Sequence, residues 1–211
     1  MIQKVIIFDF DGTVADTLDA LVVIANRLAE EFGYIPIAPE ELALLRNLSS
    51  REVINYSGIS VFRIPFLVKR VKAALKNKIK ELKPILGIKE ALIKLKSEGH
   101  RLGIITSNSQ ENVRDFLNAN ELDNLFEFIY SGVTIFGKTT IINNVLRQKQ
   151  IKLQEAIYVG DETRDIEASK KANIKVVAVT WGFNSQEVLA QQNPDFLINH
   201  PSELLEVVKK C

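Results

Sequence analysis

Asp9 and Asp11 end an apolar run, Val5-Ile6-Ile7-Phe8, and lead into Gly12-Thr13. The run reads as a buried strand that delivers two carboxylates into a tight turn. Gly12 supplies a backbone conformation that other residues tolerate poorly. Side chains two apart leave an extended segment on the same face. Two unit charges about 4 Å apart cost on the order of 4 kcal/mol even at a surface-like dielectric. Such a pair needs a cation, a shared proton, or a reaction that uses both groups. A plain Asx-type turn at a strand end is the alternative.

Three further places carry candidate chemistry. Leu102-Gly103-Ile104-Ile105 runs into Thr106-Ser107-Asn108-Ser109, small polar residues before a helix. A hydroxyl and helix-start N–H groups suit an anion, and N-capping by Asn108 or Ser109 is the competing job. Lys138 follows Gly137 at a helix start, where a cation opposes the macrodipole unless it meets an anion. Tyr158-Val159-Gly160-Asp161 again ends a strand in an acid, and Asp165 lies one helical turn on. Acids from several strand ends at one edge suit a divalent metal, and hard carboxylate oxygens favour Mg²⁺. Gly132-Val133-Thr134-Ile135-Phe136-Gly137-Lys138-Thr139 also spells a P-loop. Its bulky, β-branched interior suits phosphate cradling poorly, and the P-loop reading leaves Asp9 and Asp11 unexplained.

The elements that must position these residues alternate. Strands are predicted at 4–8, 101–105, 126–130, 156–159, 175–179 and 195–198. Helices are predicted at 89–97, 110–118, 139–150, 163–172, 185–191 and 202–209. This is an α/β, Rossmann-like parallel sheet, whose ligands bind beyond the carboxyl ends of the strands. Asp9, Thr106 and Asp161 all follow a strand directly. Residues 17–82 break the alternation with helical pattern only. Leu18, Leu21, Val22, Ala25, Leu28 and Phe32 form one stripe, ended by Gly33. The expected division is therefore a core of 1–16 and 83–211 with a helical cap of 17–82.

Composition excludes several classes. The chain has 211 residues, a net charge of +1 and 46% hydrophobic residues, ordinary for a soluble globular protein. The single cysteine, Cys211, permits no internal disulfide, so a reducing compartment is expected. No apolar run has the length of a bilayer span, and Asp9 and Asp11 interrupt the one apolar stretch near the start. The expectation is a soluble cytoplasmic protein with no membrane partner; composition leaves monomer or homodimer open. His100 and His200 read as surface or turn residues.

In this order, the four motifs resemble those of the haloacid dehalogenase superfamily. Asp-x-Asp-Gly-Thr comes first, then a strand ending in Thr, then a lysine, then Gly-Asp-x-x-x-Asp. The segment Val179–Phe183 and the tail from Pro194 resemble the phosphoglycolate phosphatase-like branch. The resemblance spans essentially the whole chain and implies the core with a small helical cap. It implies Mg²⁺-dependent hydrolysis of a small phosphorylated metabolite, 2-phosphoglycolate being one candidate. Asp9 would be the nucleophile and Asp11 the acid and then the base. Thr106, Ser107, Asn108 and Lys138 would hold phosphate. Asp9, Asp11 (through its carbonyl), Asp161 and Asp165 would hold the metal. A phosphomutase of the same superfamily shares Asp9 and Asp11. A phospho-acceptor receiver domain is the reading from another class, disfavoured by the insertion. Asp11 argues against carbon–halogen cleavage.

In the cap, Arg46, Asn47 and Ser49 form a polar loop placed to read the substrate. Val53 to Lys80 holds no acid but carries Arg63, Lys69, Arg70, Lys72, Lys76, Lys78 and Lys80. That stretch is either a solvated helix face or a rim that steers anions. No aromatic stacking pattern accompanies it, so nucleic acid is not an expected partner.

Overall fold

The computed structural model describes residues 3–131 and 137–211. The interior of the P-loop-like stretch, residues 132–136, lies outside the described residues. Six parallel strands form one sheet in the order β3-β2-β1-β4-β5-β6. They are β1 (Val5–Phe8), β2 (Arg101–Ile105), β3 (Phe128–Tyr130), β4 (Ala156–Gly160), β5 (Lys175–Val179) and β6 (Phe196–Ile198). The chain order reverses at central β1, which makes its carboxyl end a topological switch point. Phe8 pairs with Ile104 on one side and Val159 on the other. That register brings Asp9, Thr106 and Asp161 to one edge.

Both faces of β1 are buried, as its unbroken apolar run requires. Ile6 and Phe8 pack with α5 (Ile88–Ser97), α6 (Gln110–Ala119) and α10 (Leu204–Lys210). Val5, Ile7 and Tyr158 face the other layer, α7 (Lys138–Gln148) and α8 (Thr163–Lys171). The last strands are flanked by α9 (Gln186–Gln191).

Between β1 and β2 stand α1 (Leu18–Phe32), α2 (Leu42–Leu45), α3 (Ser50–Ser57) and α4 (Ile64–Lys76). Gly33 ends α1 with φ 69°, and its N–H caps the helix carbonyls. The two connections to this helical block run side by side. Asp16 N–H donates to Lys83 O and Ile85 N–H to Val14 O, both at 3.0 Å. Ile24, Leu28, Phe32, Ile64 and Leu75 continue the apolar core that covers Ile6 and Phe8.

Four strand ends differ from expectation: β1 starts at Val5, β4 runs on to Gly160, and β3 and β6 start late. The β3 ladder starts at Phe128 rather than Phe126, because a 3₁₀ turn over Asp123–Leu125 precedes it. Phe126 instead sets its ring edge-on to Phe8 at 6.2 Å. Asp195 stays outside β6, where its carboxylate accepts Val176 N–H at 3.0 Å. His100 is a correction of another kind. It is buried, 4% exposed, and its Nδ1 accepts Lys4 N–H at 3.1 Å. A histidine before a strand gave no sign that its ring would serve as a backbone acceptor. No helix among the described residues is long and apolar enough to cross a membrane.

Candidate active site

Asp9 leaves the end of β1 into a fully walled site, with 2% of its surface exposed. Its Oδ1 accepts Phe10 N–H at 2.9 Å, and Oδ2 pairs with Lys138 Nζ at 2.9 Å. Lys138 begins α7 and is itself buried, 3% exposed. Its ammonium also pairs with Asp165 Oδ1 and lies over the Tyr158 ring. Burial alone would pull the Lys138 pKa down, but Asp165 and Asp9 carry it well above its ordinary value. The lysine thus opposes the helix dipole because two buried carboxylates hold it there.

Asp161 and Asp165 come from the end of β4 and the first turn of α8. Asp161 Oδ1 accepts Thr13 Oγ1–H at 2.6 Å, and Oδ2 accepts Phe183 N–H at 2.7 Å. Asp165 Oδ2 accepts Glu162 N–H at 3.1 Å. Asp9, Asp161 and Asp165 each offer a carboxylate oxygen, all within 4.8 Å of one another. Burial drives Asp161 well above the usual carboxylate range, and Glu162, Asp9 and Asp165 add to it. Burial likewise raises Asp165 to about 6, against the pull of Lys138. Three buried carboxyl groups, with the partly buried Asp11 and Glu162 beside them, outnumber the cations Lys138 and Arg164. This excess of hard oxygen charge fits a divalent cation.

Asp11 stands beside this cluster rather than in it. Asn108 Nδ2 lies 3.1 Å from both of its carboxylate oxygens. Burial and the charge of Asp9 raise its pKa to about 7, with Asn108 pulling the other way. A carboxyl group so poised can carry a proton near neutrality and also give it up. Gly12, at φ 75°, turns the chain between Asp11 and Thr13.

Thr106 is fully buried, and its Oγ1 accepts Asn108 N–H at 2.9 Å, which leaves the hydroxyl hydrogen to donate. Ser107 borders the open space next to Asp11. Ser109, not Asn108, caps α6, accepting Asn112 N–H. Asn108 spends its amide on Asp11 and Asn112.

The cap residues singled out from sequence are engaged with protein. Arg46 donates to the carbonyls of Gly182 (2.9 Å), Phe183 (3.3 Å) and Thr180 (3.4 Å). Asn47 Oδ1 accepts from Ser185, and Ser49 caps α3. The basic stretch splits as well. Arg70, Lys76 and Lys80 pair with Glu31, Glu111 and Asp115 at the surface.

The segment Val179–Phe183 stands out by resemblance, but what residues 180–185 do leaves no sign in the sequence. Phe183 holds Asp161 through a backbone N–H, which no side-chain pattern announces. Buried Asn184 donates to Arg46 O (3.1 Å) and Leu48 O (2.9 Å), accepts Thr163 N–H (2.9 Å), and donates its own N–H to Asp161 O (3.2 Å). Glu162 and Arg164 pair beside it, and Ser50 Oγ–H donates to Glu162 at 2.8 Å. This loop joins the helical insertion to the acid cluster.

The family model for haloacid dehalogenase-like hydrolases matches residues 6–179. A phosphoglycolate phosphatase of Synechococcus elongatus is 38% identical over 206 residues, 98% of this chain and 97% of that protein. A haloacid dehalogenase-like family hydrolase of Streptococcus pneumoniae superposes with a TM-score of 0.78 at 26% identity, covering 97% and 98% of the two chains. A predicted phosphatase from Clostridium acetobutylicum shares the fold at a TM-score of 0.84 and 22% identity, with both chains fully covered.

Proposed function

The chain belongs to the haloacid dehalogenase-like hydrolase family and is a phosphatase, and we propose that it hydrolyses a small phosphate monoester through an aspartyl-phosphate on Asp9. The single observation that carries this reading is the pair at the end of β1. Asp9 is held by Lys138 and Phe10 N–H, and Asp11, with its pKa about 7, stands free of the acid cluster. One carboxylate is fixed for attack and the other is poised for proton transfer.

Asp9 attacks phosphorus, forming the Asp9–phosphorus bond as the bond from phosphorus to the ester oxygen breaks. Asp11 gives its proton to that departing oxygen. As the resulting carboxylate, Asp11 then takes a proton from a water that attacks the same phosphorus. The Asp9–phosphorus bond breaks, and phosphate leaves with Asp9 regenerated. Asn108 keeps the Asp11 carboxyl group turned toward the site. Thr106 Oγ–H and Lys138 Nζ bind phosphoryl oxygens, with Ser107 beside them. Asp9, Asp161 and Asp165, with the carbonyl of Asp11, would hold Mg²⁺. Bound Mg²⁺ supplies the positive charge that lets an anionic carboxylate approach an anionic phosphate. We assign residues 17–82 to a cap that shields this chemistry from bulk water. 2-Phosphoglycolate is the first substrate to try, on the similarity to the Synechococcus enzyme.

The test is phosphate release from a panel of monoesters, including 2-phosphoglycolate, with Mg²⁺ and then with EDTA. The proposal expects turnover with Mg²⁺, none with EDTA, and recovery when Mg²⁺ is restored. Full turnover in EDTA would remove the metal from the account.

A further inference from the structure

A cavity of about 720 Å³ opens from Asp11 into the helical insertion. Its polar lining gathers at the core end, where Asp11, Ser107, Asn108, Glu162, Arg164 and Asn184 stand. The insertion side is walled mainly by apolar side chains, among them Leu21, Val22, Leu45, Ile54, Val68 and Val71. Most of these are only half-buried, packed on the core on one side and lining the cavity on the other. Of the charged groups that α1 to α4 and their loops contribute to the lining, Arg46 is spent on core carbonyls, and Lys72 makes no ion pair among the described residues.

The chemistry fixes which part of a substrate meets this space. Asp11 must touch the leaving oxygen, so the leaving group lies on the Asp11 side of the phosphoryl group. A separate recess by Lys138 and Thr163 measures about 80 Å³ and does not include Asp11. The large cavity is therefore the leaving-group site. Cavities of about 300–1,000 Å³ bury whole drug-sized ligands. A two-carbon leaving group would occupy only its polar mouth, near Lys72, and leave the apolar walls facing empty space or poorly bound water.

We infer that this phosphatase accepts monoesters whose leaving group carries an extended apolar body, such as a medium-length alkyl chain, seated among α1, α3 and α4. The inference rests on the proposed placement of Asp11 at the leaving oxygen. The apolar body takes the walls of Val22 and Val71, and the polar groups next to the phosphate stay by Lys72 and Ser107.

The experiment measures binding of ethyl-, butyl-, hexyl- and octylphosphonate to the Mg²⁺-loaded enzyme, and kcat/KM for the matching alkyl phosphates. Each fully buried methylene contributes about 0.8 kcal/mol, so Kd should fall about fourfold per methylene until the cavity is filled. Val22→Phe on α1 and Val68→Phe on α4 should each lower the octyl-to-ethyl preference, and either variant suffices if the other folds poorly. A Kd that stays flat from ethyl to octyl overturns the inference, whether or not the esters are hydrolysed. Binding that tightens with chain length without any phosphate release supports the apolar site and counts instead against the phosphatase mechanism.

Discussion

Gly182 is the position where a single methyl group tests the architecture of the acid cluster. A Cβ there would fall well inside van der Waals contact of Asp161 Oδ2, Cβ and Cγ, where ordinary contact begins at 3.4 Å. Asp161 cannot simply swing aside, because Thr13 and Phe183 N–H hold its two oxygens. In Gly182→Ala the carboxylate must retreat by about 1 Å, a displacement that costs roughly 100-fold in rate when it misplaces catalytic groups. Overpacking should also cost about 1–3 kcal/mol of stability. Gly99→Ala is the control. Gly99 has φ 88° but nothing within 4 Å of an added Cβ, so the variant carries backbone strain alone. Steady-state phosphate release across a Mg²⁺ titration, paired with thermal unfolding, separates the two effects. Gly182→Ala should lose kcat and need more Mg²⁺, while Gly99→Ala loses stability only. A folded Gly182→Ala enzyme with unchanged kcat and Mg²⁺ requirement would refute the packing argument.

Asp11→Asn should cost about 10²–10⁴ in turnover of alkyl phosphates, and less in the first step with p-nitrophenyl phosphate, whose leaving group needs no proton. Burial and Asp9 raise the Asp11 pKa to about 7, so single-turnover attack on alkyl phosphates should slow as pH rises through that region, shifted acidward by bound Mg²⁺. An identical pH profile in Asp11→Asn would remove Asp11 from the proton transfers. Arg46→Ala frees the carbonyls of residues 180, 182 and 183 and should raise the Mg²⁺ concentration for half-maximal rate through the loop that holds Asp161. An unchanged Mg²⁺ titration would show that the loop needs no such support. Burial lowers the His100 pKa, so its contribution to stability is present above the unfolded value of about 6.5 and is lost as pH falls through the folded one. Urea unfolding of His100→Asn should therefore show a flatter stability profile between pH 7 and 5 than the parent, and a profile of equal slope would contradict this.

The sheet was legible because β1, β2, β4 and β5 are short apolar runs cut by glycine or polar residues, as strands buried on both faces must be. The chemistry at their ends was legible for the same reason. Asp9, Thr106 and Asp161 each follow an apolar run, and parallel register carries such residues to one edge. Lys138 was harder to weigh, since a lone lysine before a helix looks solvent-exposed until Asp9 and Asp165 are seen beside it. The contacts of the 180–185 loop were illegible, although Val179–Phe183 stood out by resemblance. It works through the Phe183 N–H and through an asparagine, Asn184, whose partners Arg46 and Leu48 lie far away in sequence. Arg46, Asn47 and Ser49 stood out by their polarity as a loop to read the substrate, while their carbonyl, Ser185 and helix-cap partners left no sign in the sequence. Periodicity gave the apolar face of α1, but not that this face borders a cavity.

Turnover passes the phosphoryl group to Asp9. The most direct measurement is acid quench of the Mg²⁺-loaded enzyme during turnover, followed by peptide mass spectrometry. One added phosphoryl group is expected on the peptide that contains Asp9, appearing before free phosphate and absent from Asp9→Asn, which should be folded and inactive. Phosphate release at the parent rate by a folded Asp9→Asn enzyme, or a phosphoryl group trapped on a different residue, would contradict it.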